Sequence, residues 1–347
     1  MVKRSSTRSA TIVDIAAASG VSVATVSRIL NNKPDVADET RERVLRVMDE
    51  LGFAPQSAWR QIRSGQTRLI ALHVPQDFNP PAHRLIMAAA LGVEDAGYSI
   101  NVITRTLTDA ELLGIFRSRQ ADGIILLEIL IDDRRSEVLR DHGYPFVMIG
   151  RRADNAGVSF ADVDIEAGIE LAMDHLVGLG HRHIALLTVD PVVADKTYGF
   201  STWALRGYEA ACARRGLAVI PCVGGPNIES MTESALALLE SHPEISACIA
   251  PQEQSAVGVL KAAHARGRQV PDDLSVVAML TESISELATP PLTTIEFPAD
   301  ELGRIAARIL IDQLDGRETA DQHILMQPAL NIRGSTGAPR EAAPSRA

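Results

Sequence analysis

Beyond residue 66 the sequence alternates short apolar runs with stretches of helical periodicity, and this alternation leaves few possible folds. Apolar strands that alternate with helices are typical of parallel sheets, so we predict an α/β body. Residues 67–336 are long for one such domain, which predicts two lobes. The predicted strands are 69–74, 99–103, 123–127, 146–149, 184–188, 247–250 and 274–279, and the predicted helices include 85–96, 166–179, 234–241 and 255–266.

The first 55 residues carry a different pattern, in which three short helices are separated by turn residues. Thr11 and Ser22 can cap the first two helices, and a third follows at about 38–51. Residues 16–30 form two helices around a tight turn, where Gly20 allows a positive φ. Such a helix-turn-helix can place its second helix in the DNA major groove, although an ordinary helical hairpin gives the same pattern.

Charge is unevenly distributed along the chain. Residues 1–68 hold eleven Lys/Arg and seven Asp/Glu, whereas the remaining residues hold 23 and 37. A basic N-terminal segment on an acidic body is typical of a protein whose N-terminal part binds phosphate and whose body repels it. A solvated basic terminus explains the same numbers, so charge alone leaves both interpretations open.

Other protein classes find little support. There is no apolar run of about 18 residues, and the polar, basic N-terminus lacks the apolar core of a signal peptide, so we expect a cytoplasmic protein without a membrane partner. Cys212, Cys222 and Cys248 are odd in number and have no C-x-x-C spacing, which argues against a disulfide framework or a zinc site. Without common catalytic motifs we expect no enzyme activity and no cofactor.

Motifs at 11–31, 39–45, 51–55, 179–185, 270–277, 290–295 and 331–337 follow one another along the chain. In this order they resemble the LacI/GalR family of bacterial regulators. The resemblance covers roughly residues 10–337 and implies a helix-turn-helix domain at 10–55, a hinge helix at 56–66 and a two-lobed body at 67–336 that resembles periplasmic binding proteins. We expect a disordered tail at 337–347, which is rich in Ala, Pro and charge.

The resemblance also implies which residues meet DNA. Val23 and Ala24 match the positions that largely choose the operator sequence, and their short apolar side chains can contact a thymine methyl. Arg28 matches a position that reaches guanine, where a bidentate contact is geometrically natural. Thr25 and Ser27 are candidates for phosphate contacts, with Ser22 at the head of the same helix.

The segment 56–64 matches the hinge helix of the family. Ala58 and Ile62 lie four residues apart and share one helical face, so two hinges could pack together in the minor groove. Ile62 stands where the family usually has a leucine that wedges between base pairs, and Arg60 and Arg63 would face phosphate or groove edges. A helix this short is unstable alone, which favours folding on DNA.

A ligand site is expected between the two lobes, because ligands of open α/β sheets bind at the carboxyl ends of the strands. Asp77 and Asn79 follow the first predicted strand, and Glu128 and Arg151 follow the third and fourth. Gln252 follows the strand predicted at 247–250. For Glu128, a surface carboxylate is the alternative.

Aromatic residues and two departures from the family pattern complicate the ligand prediction. Tyr198, Phe200 and Trp203 could stack on a sugar face, or belong to an ordinary core. Many relatives carry an arginine at the position of Ala204 and an aspartate at the position of Leu280, so two usual polar anchors are missing.

We therefore expect a dimeric transcription regulator, by preference a repressor, that binds a palindromic operator of double-stranded DNA. We expect its effector to be a small neutral carbohydrate. A DNA-binding regulator without an effector is the main alternative, and a solute-binding receptor is a weaker one.

Overall fold

The computed structural model describes residues 10–30, 36–51, 66–74, 80–190, 192–193, 196–317 and 320–340. Residues 56–65 of the predicted hinge, with Ala58, Arg60, Ile62 and Arg63, lie outside these residues, as do Asp77 and Asn79. The described part divides into two compact units. The first contains the residues up to 69 together with 115–122, and the second contains 70–114 and the residues from 123 onward.

The first unit contains the predicted helices, α1 (Ile12–Ser19), α2 (Val23–Leu30) and α3 (Asp38–Glu50). Thr11 begins α1 with a capping box, in which its amide donates to the Asp14 carboxylate at 2.7 Å. Gly20 ends the helix with a φ of 70°, a left-handed conformation that glycine adopts without strain. The buried core is small and consists of Ile15, Ala16, Val26, Ile29, Leu30, Val44 and Met48.

The second unit contains two six-stranded sheets, one in each lobe. In the first lobe the strand order is β13-β5-β4-β3-β1-β2, and β13, β5, β4, β3 and β1 pair in parallel. Its strands are β1 (Leu69–His73), β2 (Ser99–Ile103), β3 (Gly123–Leu126), β4 (Phe146–Ile149), β5 (Phe160–Val163) and β13 (His323–Met326).

The second sheet has the order β14-β12-β11-β10-β6-β9, in which only the edge strand β14 is antiparallel to its neighbour. The strands are β6 (Ile184–Val189), β9 (Pro221–Gly224), β10 (Ala247–Ala250), β11 (Ser275–Leu280), β12 (Thr293–Glu296) and β14 (Leu330–Asn331). A small hairpin adds β7 (Val192–Val193) and β8 (Lys196–Thr197).

The chain passes between the lobes three times, after β5, after β12 and after β13. Helix α7 (Ile165–Gly178) begins the second lobe, and α12 (Ala299–Leu314) returns to the first, where it packs against α4 (Pro80–Glu94). The helices of the body are α4 (Pro80–Glu94), α5 (Asp109–Arg117), α6 (Arg134–Asp141), α7 (Ile165–Gly178), α8 (Gly199–Arg215), α9 (Ile228–Ser241), α10 (Glu253–Ala265), α11 (Glu282–Ser285) and α12 (Ala299–Leu314).

The predicted α/β class with a helical N-terminal domain is confirmed, and all seven predicted strands are present within a residue or two. The sequence pattern missed β5, β7–β9 and β12–β14, because these strands are short and several carry polar or proline residues. Helices α5, α6, α8, α11 and α12 were also not predicted, although α12 holds a row of buried apolar residues.

The C-terminal residues are described as far as residue 340. Residues 337–340 lie against the second lobe, where His181 Nε2 is 2.9 Å from the Gly337 carbonyl oxygen and Arg340 pairs with Asp273. Residues 341–347 lie outside the described residues, so the disordered tail stays a prediction there.

In the described part no single helix is long and apolar enough to cross a membrane. Helices α1 and α2 meet that requirement only as a pair bent by 107°.

Candidate functional site

The outer face of α2 holds the side chains predicted to meet DNA. Because Val26, Ile29 and Leu30 face the core, Val23, Ala24 and Arg28 are left exposed, and Ser27 is half-buried beside them. Val23 is 43% exposed, so its side chain is accessible to a partner.

The start of α2 is held by its own hydroxyl groups. The Thr25 amide donates to Ser22 Oγ at 3.0 Å, and the two hydroxyls lie 2.8 Å apart. Ser22 therefore stabilises the first turn and fixes the direction in which Val23 and Ala24 point. The six predicted residues of this helix lie together on one short segment.

A cavity of about 220 Å³ lies at the carboxyl ends of the strands of both sheets. Of the predicted ligand residues that the structure describes, all line it, and they come from both lobes: Glu128, Arg151, Tyr198, Phe200, Trp203 and Gln252. Strand β3 delivers Glu128, β4 delivers Arg151, and β10 delivers Gln252. The expectation that ligand residues follow the carboxyl ends of the strands therefore identified residues that are dispersed in the sequence but line one cavity.

Arg135 holds the backbone that carries Glu128. Its guanidinium donates to the Leu127 and Glu128 carbonyls at 3.0 and 2.9 Å and pairs with the fully buried Asp133 at 2.6 Å. Glu128 itself has a φ of 52°, which is strained for a residue with a side chain. The network therefore fixes an unusual conformation at the cavity wall.

His73 completes this network. Its Nδ1 accepts from Arg135 at 2.9 Å, and its Nε2 lies 3.0 Å from the Arg105 carbonyl, to which a neutral ring donates. Burial, followed by the neighbouring Arg135, lowers the pKa of His73 to about 4. The ring is thus held neutral within the network that supports the Glu128 backbone.

Arg151 lies across the cavity and joins the two lobes. Its guanidinium donates to Asp162 at 3.1 Å in the first lobe and to Glu166 at 2.9 Å in the second. Burial raises the pKa of Asp162 to about 7, and the nearby Arg151 opposes that rise. The predicted ligand arginine is therefore already paired on both sides.

Gln252 is similarly engaged with its neighbours. Its amide oxygen accepts from Thr188 Oγ1 at 3.2 Å, and its amide nitrogen donates to Ser201 Oγ at 2.9 Å. The side chain thereby ties β6 to α8 and forms part of a capping box that begins α10. It shapes the wall and has little hydrogen-bonding capacity left for a ligand.

The three aromatic residues differ in what they can offer. Trp203 is 6% exposed, and the guanidinium carbons of Arg151 and Arg206 lie 4.8 and 4.9 Å from its ring centre. Its indole nitrogen donates to the Arg151 carbonyl at 3.4 Å, so Trp203 belongs to the arginine network. Tyr198 and Phe200 are only partly buried and line the cavity, which leaves them as the candidates for stacking on a ligand.

The backbone joins the lobes next to these aromatics. The Ile131 amide donates to the Thr197 carbonyl at 2.8 Å, and the Gly199 amide donates to the Ile129 carbonyl at 2.9 Å. A Cβ atom at Gly199 would lie 3.0 Å from the Ile129 oxygen and 3.1 Å from the Arg151 oxygen. The lobes approach so closely here that the position favours glycine.

The sequence reasoning missed several residues of the cavity. Asp190 directly follows β6, so the strand-end rule applies to it. Asp162 was missed because β5 was not predicted. Gln254 follows Glu253 in the first turn of α10, beyond the residues that directly follow β10.

The two departures from the family pattern lie in apolar surroundings. Ala204 is fully buried in the core formed by α7, α8 and the second sheet, and Leu280 is buried on the other side of that sheet. Both positions thus contribute to packing, and the cavity takes its polar groups from elsewhere.

Comparison with known proteins assigns the two parts of the chain separately. Residues 11–56 match the family model described as bacterial regulatory proteins, lacI family. Residues 173–336 match the model described as a periplasmic binding protein-like domain.

Relatives match over almost the whole length. The HTH-type transcriptional regulator MalR of Streptomyces coelicolor is 32% identical, with 94% of this chain and 96% of the relative covered. The HTH-type transcriptional regulator CelR of Thermobifida fusca is 29% identical, with 94% and 98% covered. Both are named as transcriptional regulators rather than enzymes.

Solved structures agree with this assignment. The transcriptional regulator CelR–cellobiose complex has a TM-score of 0.68 at 27% identity and covers 94% of this chain and 99% of its own. The lac repressor dimer bound to operator and the anti-inducer ONPF has a TM-score of 0.79 at 23% identity, with 95% and 100% covered, which shows a shared fold.

Proposed function

This chain belongs to the LacI family of bacterial regulatory proteins and is a DNA-binding transcriptional regulator, and on that premise we propose that it binds a palindromic operator as a homodimer under the control of a carbohydrate effector. The proposal rests on one observation: a single chain combines an exposed α2 face with a cavity that is lined by aromatic side chains. The first is suited to reading DNA, and the second to holding a small molecule.

The DNA half of the proposal assigns a task to each exposed side chain of α2. Arg28 donates to guanine O6 and N7, while Val23 and Ala24 make apolar contact with base edges. Ser22, Thr25 and Ser27 position the helix on the phosphates. Because two copies read two half-sites, the operator is a palindrome whose spacing follows the dimer.

The part of the proposal that concerns the hinge rests on the family resemblance of residues 56–66. Two hinge helices pair in the minor groove through Ala58, and Ile62 wedges between base pairs, with Arg60 and Arg63 beside the phosphates. Replacing Ile62 by glycine is expected to reduce DNA bending and specific affinity while effector binding is unchanged. Unaltered bending, measured by the migration of permuted fragments, would contradict the wedge.

The effector half is supported by the cavity and by the names of relatives. One structural relative is a complex with cellobiose, and one relative in sequence is a ribose operon repressor. Tyr198 and Phe200 suit the apolar face of a sugar ring, and Glu128 suits its hydroxyl groups. A ligand changes operator affinity only through its different affinity for two lobe arrangements, and each 1.4 kcal/mol of difference corresponds to about tenfold.

A regulator without an effector is the second candidate, and a specific observation favours it. Arg151 and Gln252 are already hydrogen-bonded to other residues of the protein, and apolar residues occupy the two usual anchor positions. In that case the lobes act only as a dimerisation body.

One experiment separates the candidates. Duplexes are selected from a random pool by the purified full chain, and the recovered operator is titrated by fluorescence anisotropy with and without cellobiose, ribose or glucose. Recovery of a palindrome supports the DNA half, and a shift of operator affinity with one sugar supports the effector half. A palindrome whose affinity no sugar shifts, with no heat of sugar binding in calorimetry, favours the second candidate.

A further inference from the structure

Three exposed arginines lie near the start of the first sheet. Arg68 directly precedes β1, Arg117 ends α5, and Arg119 follows two residues later, shortly before β3. The residues up to 69 and residues 115–122 belong to one compact unit, so these arginines share a unit with the helix-turn-helix. Their positive charge is therefore part of the unit that binds DNA.

Asp122 joins the two segments that carry the arginines. Its carboxylate accepts from the Thr67 amide at 2.7 Å and from the Arg68 amide at 2.8 Å, and its own amide donates to the Leu69 carbonyl at 2.8 Å. Thr67 is the residue that directly follows the predicted hinge. Asp122 is the only acid in residues 66–69 and 115–122, which together hold three arginines, so the two joined segments are basic.

Two of the arginines are available to a partner. Neither Arg117 nor Arg119 pairs with an acid among the residues that the structure describes. Other exposed arginines of the first lobe are paired, as Arg134 is with Asp109 at 2.9 Å. Exposed cations without a partner of their own attract a negatively charged ligand most strongly.

The backbone conformation of two of these arginines is one that glycine ordinarily adopts. The φ angle is 56° at Arg68 and 53° at Arg119. In the described part of the chain, Glu128 is the only other residue besides glycine that has a positive φ. A side chain carries an energetic cost in this conformation, so its presence at a position suited to glycine indicates a function.

At Arg119 the positive φ comes from the way α5 ends. The Arg119 amide donates to the Phe116 carbonyl at 3.0 Å, and the Gln120 amide donates to the Ile115 carbonyl at 2.8 Å. This pair of bonds is a Schellman motif, in which the left-handed residue is usually glycine. Glycine would therefore end α5 at a lower cost than arginine does.

A cation near the end of a helix interacts favourably with the helix dipole, which is the main alternative explanation. It accounts for Arg117, which stands in the last turn of α5. It does not account for Arg68, which lies outside that helix, or for Arg119, where glycine would suit the backbone better. The dipole thus explains one of the three arginines.

We propose that Arg117 and Arg119, together with Arg68, form a surface that binds DNA phosphates next to the predicted hinge, in addition to the contacts of α2. A guanidinium group can donate two parallel hydrogen bonds to a phosphate. Because phosphates are alike along any duplex, the surface adds affinity without changing base preference. The inference requires only that the chain binds DNA, and it is independent of the palindrome, the wedge and the effector.

The test measures how the DNA affinity of the full chain depends on salt. Fluorescence anisotropy follows binding to the selected operator and to a random duplex between about 50 and 200 mM KCl. Each lost phosphate contact reduces the slope of log affinity against log salt by about 0.9, so Arg119→Gln should reduce it by about 1 in a monomer and about 2 in a dimer. Affinity at the lower salt concentration should fall about fivefold on both duplexes.

Two further variants separate charge from other effects. Arg119→Lys keeps the charge and should retain most of the affinity. Arg182→Gln is the matched control, because Arg182 is an exposed arginine of the second lobe, outside the proposed surface. It should leave the slope unchanged.

The variant Arg119→Gly tests whether the residue serves the fold or the DNA. It should be at least as stable as wild type in denaturant unfolding, since glycine suits the left-handed conformation, and it should bind both duplexes as weakly as Arg119→Gln. Loss of both stability and affinity would show a structural role and overturn the inference.

The remaining outcomes are equally decisive. A slope and affinity that Arg119→Gln leaves unchanged overturn the inference, and so does an equal loss in Arg182→Gln, which would assign the effect to net charge. A changed preference at a base pair would overturn the assignment to phosphate. Failure to recover a palindrome would count against the proposed dimeric operator complex, while the random duplex still tests the arginines.

Discussion

The outer face of α2 and the wall of the cavity use their side chains in opposite ways. On α2, neighbours in sequence are neighbours in space, and the core-facing positions determine which side chains remain exposed. In the cavity, polar residues from distant segments mostly bind one another, as Arg151 binds Asp162 and Glu166. A surface that contacts DNA can thus be built from one helix, whereas a ligand site needs side chains from several segments that hold one another in position.

The two regions also differ in what supports them. The first unit has a small core of a few side chains from three short helices, while the body packs two complete sheets between helices. A small unit buries a smaller fraction of its surface and is less stable. Damage to the first unit should therefore abolish DNA binding while the cavity keeps its function.

The largest effect is expected from Ile15→Ala, because Ile15 is fully buried in the small core. Loss of its side chain should cost about 2–5 kcal/mol of unfolding free energy and abolish operator binding. Effector binding by the body should persist in calorimetry. Val13→Ala is the matched control, since Val13 lies on the same helix but is 60% exposed. Loss of effector binding in Ile15→Ala would break the comparison.

The cavity framework should show a pH dependence that comes from His73. Its pKa is about 4 in the folded protein and about 6.5 in the unfolded chain. Because the folded state favours the neutral ring, its contribution is complete above about pH 6.5 and is lost as the pH falls towards 4. The loss should reach about 3 kcal/mol.

The variant His73→Gln isolates this contribution, because an amide can still accept from Arg135 and donate to the Arg105 carbonyl. Denaturant unfolding of the body, followed between pH 7 and pH 4, should fall less steeply for the variant than for wild type. Identical slopes would show that His73 does not stay neutral in the fold.

Arg28→Ala tests whether the exposed face of α2 reads bases. We expect a loss of about 1–3 kcal/mol on the selected operator and a relaxed preference at one base pair in each half-site. The fold should be intact, since Arg28 is exposed. Arg46→Ala, at an exposed position on α3, removes the same charge and should not change sequence preference. Equal losses for Arg28→Ala on operator and random duplexes would assign Arg28 to phosphate.

The smallest effect is expected from Gly199→Ala, where the lobes meet. The added methyl group would press on the Ile129 and Arg151 carbonyls and should lower the unfolding free energy by about 1 kcal/mol, measured by denaturant unfolding of the body. Gly178→Ala is the control, because a Cβ there would have open space around it. An effect no larger than that of the control would mean that the lobes are less closely joined than the backbone bonds indicate.

Much of the site could be predicted from the sequence where the relevant physics is local. The cap at Thr11, the turn at Gly20 and the buried face of α2 follow from neighbours a few residues apart. Strand ends placed Glu128, Arg151 and Gln252 at the cavity, because parallel strands deliver their carboxyl ends to one edge. Asp162 was not predicted because the short strand that carries it has no clear hydrophobic periodicity.

The sequence by itself determined the fold class, the helix-turn-helix and the set of polar residues at the strand ends, since these depend on periodicity, caps and turns. Only the tertiary structure decided which of those residues are engaged with one another. It paired Arg151 with acids from both lobes, tied Gln252 to Thr188 and Ser201, and left acceptors of Glu253 and Gln254 without partners. Hydrogen bonds between residues tens of positions apart depend on distances of a few tenths of an ångström, which no local pattern encodes.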